Sequence, residues 1–509
     1  MNNLKALSIV FFVFCRCKSA MSQLKKLAGE TAVYGLSSIA GRFLNYLLVP
    51  IFTRVFTQTE YGINVEFYAY ISFFNIILTH GMETAFFRFA QKENSMQVFA
   101  NALISVIGAS FLFLFIMFFA GNPISNAIGY GNHPEYLWYA VFILAFDAVS
   151  AIPFALLRQQ NKALRFAVIK NLNILTNILL NLYFLVLCPY IKANNGLVLP
   201  FYNESIGISY VFIANLCASM LTTFMLSAEL LKIKLGLDQA LWKKMFLYAL
   251  PMLFVGFAGM INETLDRALL RYIWPNAEEA KAMNGIYGAN YKLSILITLF
   301  IQAFKYAAEP FFFAHAKTSD KREIYADVMN YFVLICLSMF LMVTLFLDFF
   351  KHFIGEDFYE GLVVVPILLW ANIFLGVYYN ISIWYKLSDQ TNKGAVISVI
   401  GAAITIILNI LLIPQMGYLG CAYATLICYF SMLVIGYIWG QKVYPIPYQT
   451  TKLIAYGLIS IIIYALSLYL KKWVDPISIT GILINLFLMI GFMVMGFLTE
   501  RKSLRIFVK

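Results

Sequence analysis

"YGINVEFYAYISFFNIILTHGMETAFFRFA", Tyr61 to Ala90, recurs without a gap as "YGANYKLSILITLFIQAFKYAAEPFFFAHA", Tyr287 to Ala316. Tyr61-Gly62 falls over Tyr287-Gly288, Asn64 over Asn290, Phe74 over Phe300, Glu83 over Glu309 and Phe86-Phe87 over Phe312-Phe313. Further on, Ala167-Val168-Ile169 falls over Ala395-Val396-Ile397 at an offset only two residues larger. Apolar helices match easily by chance, but polar positions kept at a nearly constant offset indicate duplication. The two units start about six membrane spans apart, so they cross in the same direction and form parallel repeats.

The repeated stretch has the period of a helix with one polar face. Asn64, Tyr68, Ser72, Asn75, Thr79 and Glu83 are spaced by three or four, and Asn290, Ser294, Thr298, Gln302, Lys305 and Glu309 repeat the pattern. The span before each adds to it: Thr31, Ser38, Arg42 and Asn45 in the first unit, Gly259, Asn262, Glu263, Asp266 and Arg267 in the second. A polar stripe facing lipid is costly, so the first two helices of each unit are expected to line a shared, water-filled interior.

Outside the repeat the composition sets the class. Of 509 residues 61% are hydrophobic and 12% charged, and the mean hydropathy is +0.78, which reads as an all-α polytopic membrane protein. About 14 stretches are long enough to cross a hydrocarbon core of about 30 Å. They are expected at 31–53, 62–86, 99–120, 135–157, 166–188, 206–231, 245–273, 284–310, 327–349, 361–385, 394–414, 417–440, 451–470 and 476–498. The net charge is +12, but Lys and Arg are spread over short loops rather than clustered, so no nucleic-acid face is expected. With an inner N-terminus, about 24 of these cations fall on inner segments and about six outside, which places both termini in the cytoplasm. The first residues, "ALSIVFFVFC", look like a signal-peptide core, but Arg16 and Lys18 follow without an A-x-A site; Met21 is an alternative start. Seven cysteines, mostly within spans, and four scattered histidines suggest neither a disulfide framework nor a metal centre. There is no P-loop, H-E-x-x-H or G-x-S-x-G, and Gly129-Tyr130-Gly131 alone is too little for a phosphate loop, so an enzyme is not expected.

The charges within spans carry the functional reading. Lys170 and Arg271 lie near enough to an interface to snorkel, but Arg42 does not, and a buried guanidinium needs a partner. One reading pairs Arg42 permanently with Asp147 or with an acid of span seven. The other makes Arg42, Arg267, Lys292 and Lys305 a cationic surface for an anion, with Asp266 and Glu263 balancing Arg267 when it is empty, because guanidinium forks match phosphate oxygens. By spacing, Glu83 and Glu309 belong near the cytoplasmic end, as gate or brace contacts with Arg88 and Lys305. The polar lining is assigned to Ser38, Asn45, Asn64, Ser72, Asn75, Asn290, Ser294, Thr298 and Gln302.

"LLVPIFTRVFTQTEYG", Leu47 to Gly62, resembles the span-one exit of polysaccharide biosynthesis flippases, where P-x-x-T-R is followed by an E-Y-G turn, and "LDRALL", Leu265 to Leu270, resembles their D-R pair. The resemblance is to the multidrug/oligosaccharidyl-lipid/polysaccharide exporter superfamily. It implies two six-helix lobes with two appended helices, alternating access, and an oligosaccharide on a polyprenyl diphosphate moved from the cytoplasmic to the periplasmic leaflet of the bacterial inner membrane. It also implies that Arg42, Arg54 and Arg267 engage the diphosphate, to which Lys292 and Lys305 are added here. The expected parts are an inner segment 1–29, an N-lobe 30–231, a linker 232–241, a C-lobe 242–440, two spans in 441–498 and a basic tail 499–509. Expected partners are the glycolipid, membrane lipids and glycan polymerase or ligase machinery. No cofactor is expected, and the coupling ion, H+ or Na+, stays open, since the acid of span one in cation-coupled exporters is missing and Glu30 lies at the helix start. A multidrug exporter and a lipid II flippase on the same fold are the alternatives.

Overall fold

The computed structural model describes residues 41, 43–232, 236–315, 322–388 and 390–508, without the side chains of 306, 307, 309–315 and 502–508. Helix α1 (Val49–Val55) ends the first span, and α2 (Gln58–Thr79) with α3 (Met82–Phe89) makes the second. There follow α4 (Ser95–Ala127), α5 (Pro134–Gln159), α6 (Ala163–Leu182) and α7 (Ser209–Met225). The second half runs through α8 (Gln239–Ile273), α9 (Ala277–Leu293), α10 (Ile295–His315), α11 (Arg322–Leu345), α12 (Val364–Ile381), α13 (Thr391–Met416) and α14 (Tyr418–Val443). Helices α15 (Thr450–Leu470) and α16 (Ile479–Val508) complete the chain.

Among the described residues ten helices are long and apolar enough to cross a membrane, fewer than the roughly 14 expected. Residues 31–40 and 42 of the first expected span lie outside the described residues, and three other spans fall short for reasons of their own. Helix α2 carries the polar stripe, α7 has only 17 residues, and span eight is divided at Ser294 into α9 and α10. The repeat is also less regular in space than in sequence. The first unit breaks at His80 and Gly81, both left-handed with φ of 31° and 72°, whereas the second breaks at Ser294, some twelve residues before the matching position.

Burial separates core from periphery. The most apolar window of α5 is 72% buried, against 28% in α4 and 22% in α15 and α16. Helix α4 shows Phe111, Phe115, Phe118 and Phe119 to its surroundings, as a lipid-facing helix does. Helices α2 and α4–α7 pack on one another, α8, α9 and α11–α14 form a second group, and α15 and α16 lie on α11. Between the groups α2 crosses α8 and α9, and α3 leans on α8. The expected two-unit architecture is therefore present, with the first helices of both units at the seam.

Candidate functional site

Helix α2 starts on a capping box, with Glu60 N–H donating to Thr57 Oγ1 at 3.3 Å and Thr57 N–H to Glu60 Oε2 at 2.9 Å. This fixes the E-Y-G turn and presents Gly62 to α9. A Cβ on Gly62 would stand 1.8 Å from the Lys281 carbonyl oxygen, and one on Gly285 2.0 Å from that of Gln58. Only glycine allows two backbones to approach so closely. Alongside, Gly355 N–H donates to Thr53 Oγ1 at 2.9 Å, and Tyr46 stacks on Phe353 at 4.2 Å. Arg54 donates to the carbonyls of Pro50 at 2.8 Å and His352 at 2.6 Å. Thr53 and Arg54 of the P-x-x-T-R motif thus clasp the turn that leads into α12. Arg54, expected on a diphosphate, is exposed and engaged with main-chain oxygens.

The interior residues divide in two. Arg267 is half-buried, its guanidinium 4.4 Å from the Tyr291 ring centre and 5.9 Å from that of Tyr287, and Nη1 donates to the Glu263 carbonyl at 3.3 Å. Asp266 accepts the Arg267 N–H at 2.9 Å and the Tyr287 hydroxyl at 2.7 Å, so it braces the helix pair, while Glu263 is exposed. Lys305 lies over the Tyr379 ring at 4.8 Å, and Lys292 is half-buried at the end of α9. Ser72, Asn75, Thr298 and Gln302 are half-buried and Asn45 is exposed. Asn290 and Ser294 correct the expected lining. Both are fully buried, Asn290 donating to the carbonyls of Ile286 and Phe358 and Ser294 accepting from Asn372 at 3.2 Å, because that stretch of the polar face packs on protein. Asn64 is likewise buried. Arg42, Ser38 and the side chain of Glu309 lie outside the described residues.

The expected charge partners change as well. Glu83 pairs with Arg158 of α5 rather than Arg88, whose guanidinium lies over Tyr248 at 4.1 Å. Asp147 makes no ion pair with a described residue, and Lys170 rests 4.4 Å from the Phe154 ring centre instead of snorkelling.

Sequence reasoning missed Glu66. It lies off the quoted stripe and is fully buried; Tyr70 donates to Oε1 at 2.5 Å and Tyr130 to Oε2 at 2.6 Å. Across the seam, Nε of Arg271 stands 3.8 Å from Oε2. The gross attraction is about 4 kcal/mol at an effective dielectric constant of about 20, before desolvation is subtracted. Arg271 therefore points into protein, its side chain 10% exposed. Lys281, which precedes the expected start of span eight at 284, is also buried, because α9 begins at residue 277 and carries it into the seam. The signal was an acid on the face of the helix opposite the polar stripe, two residues from Asn64 and from Tyr68, at a position where the matching residue of the repeat, Lys292, is a cation.

Residues 27–316 match the family of polysaccharide biosynthesis proteins. The fold is similar to a structure described as "Lipid II flippase MurJ, inward closed conformation", with a TM-score of 0.69 and 16% identity over 92% of this chain and 98% of that one. It is also similar to an inward-facing multidrug resistance MATE family transporter of the MOP superfamily, at a TM-score of 0.58 and 14% identity over 81% and 94% of the two chains. A Vibrio cholerae MATE transporter, VcmN, matches at a TM-score of 0.55 and 13% identity over 83% and 97%. A search of curated protein sequences finds no match.

Proposed function

Because the chain belongs to the polysaccharide biosynthesis protein family, we propose that it is a flippase that carries a polyprenyl-diphosphate-linked oligosaccharide from the cytoplasmic to the periplasmic leaflet. The observation that carries the reading is Arg267. Its guanidinium sits inside the bundle on tyrosine faces, and among the described residues no carboxylate lies within ion-pair distance of it. A permanent positive charge in such a place favours a guest that brings negative oxygens. Lys292, Lys305 and Arg42 extend that cationic surface, half-buried Ser72, Asn75, Thr298 and Gln302 meet sugar hydroxyls, and the prenyl tail stays in lipid. The end where α2 and α9 begin is then the periplasmic one, both termini are cytoplasmic, and a glycan polymerase or ligase receives the product. A peptidoglycan precursor is the second reading, favoured by the fold shared with the protein described as a lipid II flippase.

The test is reconstitution in liposomes with a defined polyprenyl-diphosphate oligosaccharide and an impermeant glycosidase outside. Glycolipid should become accessible in a protein-dependent way, at least tenfold more slowly with Arg267→Gln than with wild type, and Arg267→Lys should recover part of the rate. An unchanged rate in Arg267→Gln refutes the role of that charge, and no transfer at all refutes the function.

A further inference from the structure

We propose that Glu66 is a proton-binding site that controls opening of the periplasmic end, and that a proton taken up there releases Arg271 from its socket. The inference takes its orientation from the flippase reading and its substance from geometry.

The socket belongs to the first half of the chain and the plug to the second. Glu66 and Tyr70 come from α2, and Tyr130 comes from the Gly129-Tyr130-Gly131 turn that the sequence left without a role. Ser125 Oγ donates to the Tyr130 carbonyl at 2.8 Å and holds that turn on α4. Gly129 has a φ of 81°, and a Cβ there would lie 2.6 Å from Nη2 of Arg271, so any side chain would block the guanidinium. Arg271 enters from the end of α8 and joins the halves through its ion pair with Glu66. The pairs Arg158 with Glu83, Arg165 with Glu229 and Lys471 with Asp348 each stay within one half.

The groups around Glu66 set the sign of the response. On its own helix Tyr70 donates to it and in turn meets Tyr272 of α8 at 2.9 Å. Tyr130 donates from the turn, and Tyr136 of α5 packs at 6.1 Å from the Tyr130 ring. From α9, Lys281 lies 4.9 Å from the Tyr130 ring centre and is tied to Glu278 at 2.7 Å. Two donating phenols and two cations suit an ionised carboxylate. Nε of Arg271 is buried and makes no hydrogen bond among the described residues, so the Glu66 charge at 3.8 Å is what compensates it, and Nη1 makes one long bond to the Ala277 carbonyl at 3.4 Å. When a proton from the outer water adds to a Glu66 oxygen, the carboxyl becomes neutral and the pair gains one positive charge. A buried guanidinium beside a neutral acid is costly, and parting of the halves returns it to water. Acid outside therefore favours the open periplasmic end.

The experiment reads the seam directly and needs no glycolipid. Spin labels are attached through ketone-bearing residues at exposed positions 132 and 277, one on each half at that end, and their distance distribution is measured in liposomes between pH 5 and 8. In wild type the long-distance fraction should rise on acidification, by at most tenfold in its ratio to the short one per pH unit for a single proton. Glu66→Gln should hold the long distance at every pH, and Glu66→Asp, which keeps the acid at shorter reach, should shift the midpoint. Wild-type distances that ignore pH overturn the proposal, as does a Glu66→Gln protein that keeps the response. If Glu66→Gln fails to fold, an unmoved midpoint in Glu66→Asp overturns it. A seam that ignores pH in a chain that moves glycolipid sinks the proton site alone. A responsive seam without glycolipid movement leaves the site standing and sinks the cargo.

Discussion

Replacing Gly62 with alanine should part the seam between α2 and α9 without unfolding the protein. In the closed seam the new Cβ would lie 1.8 Å from the Lys281 carbonyl oxygen, a backbone atom that cannot rotate aside. A tolerable carbon–oxygen contact is about 3.3 Å, so α2 and α9 must part by about 1.5 Å at their crossing. Such overpacking costs about 1–3 kcal/mol, which moves the open-to-closed ratio by about 5- to 150-fold. The cost falls on the closed state alone, because parted helices accommodate a methyl group. Ala280 is fully buried in the same seam, so Ala280→Cys reports opening through its labelling rate with an impermeant maleimide, read at that position by mass spectrometry. The rate should rise by the same factor in Gly62→Ala, and in Gly285→Ala, whose Cβ would stand 2.0 Å from Gln58 O. Gly108→Ala is the control: its Cβ would meet nothing within 4 Å, so labelling should not change. If labelling in Gly62→Ala stays at the control rate while the melting temperature falls, the crossing is static scaffold and the reasoning fails.

Other perturbations separate clasp, brace and anchor. Arg54→Ala removes the bond to His352 and should raise labelling at position 280 about fivefold, as expected for about 1 kcal/mol; Arg54→Lys should recover little, since one ammonium cannot serve both carbonyls as the fork does. Glu83→Gln breaks a half-exposed pair with Arg158 and should cost under about 1 kcal/mol in thermal unfolding after solvent screening; a block of transport with unchanged stability would instead reveal a gate. Asp348 lies between the spans, where burial opposes its charge but Lys471 at 2.7 Å and Lys351 at 3.2 Å prevail and hold its carboxyl below the ordinary value. Its folded pKa is depressed, so its stabilisation is present above the unfolded value and is lost as pH falls through the folded one. Asp348→Asn should therefore lower the melting temperature at pH 7 and leave it unchanged near pH 2.

The all-helical class, the order of the helices and the two-unit plan were legible because hydropathy and polar spacing are local properties of the chain. The expected span 135–157 is α5 at Pro134–Gln159, and 417–440 is α14 at Tyr418–Val443. Partners were not legible, because they are set by which faces meet. Asn290 reads as lining by period, yet it bonds to the Phe358 carbonyl 68 residues away. Lys281 reads as a loop cation until α9 is seen to start about two turns early and bury it. Arg54 fits a phosphate-binding motif as a side chain, while its partner, the His352 carbonyl, is main chain and has no signature in sequence at all. The family match covers residues 27–316 and does not supply these pairings either.

The chemistry of the seam differs from that of each half, and the difference bears on movement. Within the halves the fully buried side chains are large and apolar: Phe67, Phe99 and Phe212 in the first, Phe332, Phe340 and Trp384 in the second. Between α2 and α9 the closest approaches are made by glycines, Gly62 and Gly285 on carbonyl oxygens and Gly288 on the Val65 side chain. On α2 the buried Oδ1 of Asn64 has no protein partner among the described residues, and on α9 the same holds for Asn284 and Asn290, whose amide nitrogens bond within the second half to the carbonyls of Arg267 and Phe358. Each such oxygen costs about 1–3 kcal/mol in a dry site, and water relieves that cost once the helices part. The closed seam thus balances close backbone contact and one buried ion pair against several unmet acceptors. Removing the charge of Glu66 takes away a major term on the closed side while the unmet acceptors remain, so a single proton is enough to shift the balance. A seam packed like the halves, with rings in place of glycines, would have no comparable term for a proton to remove.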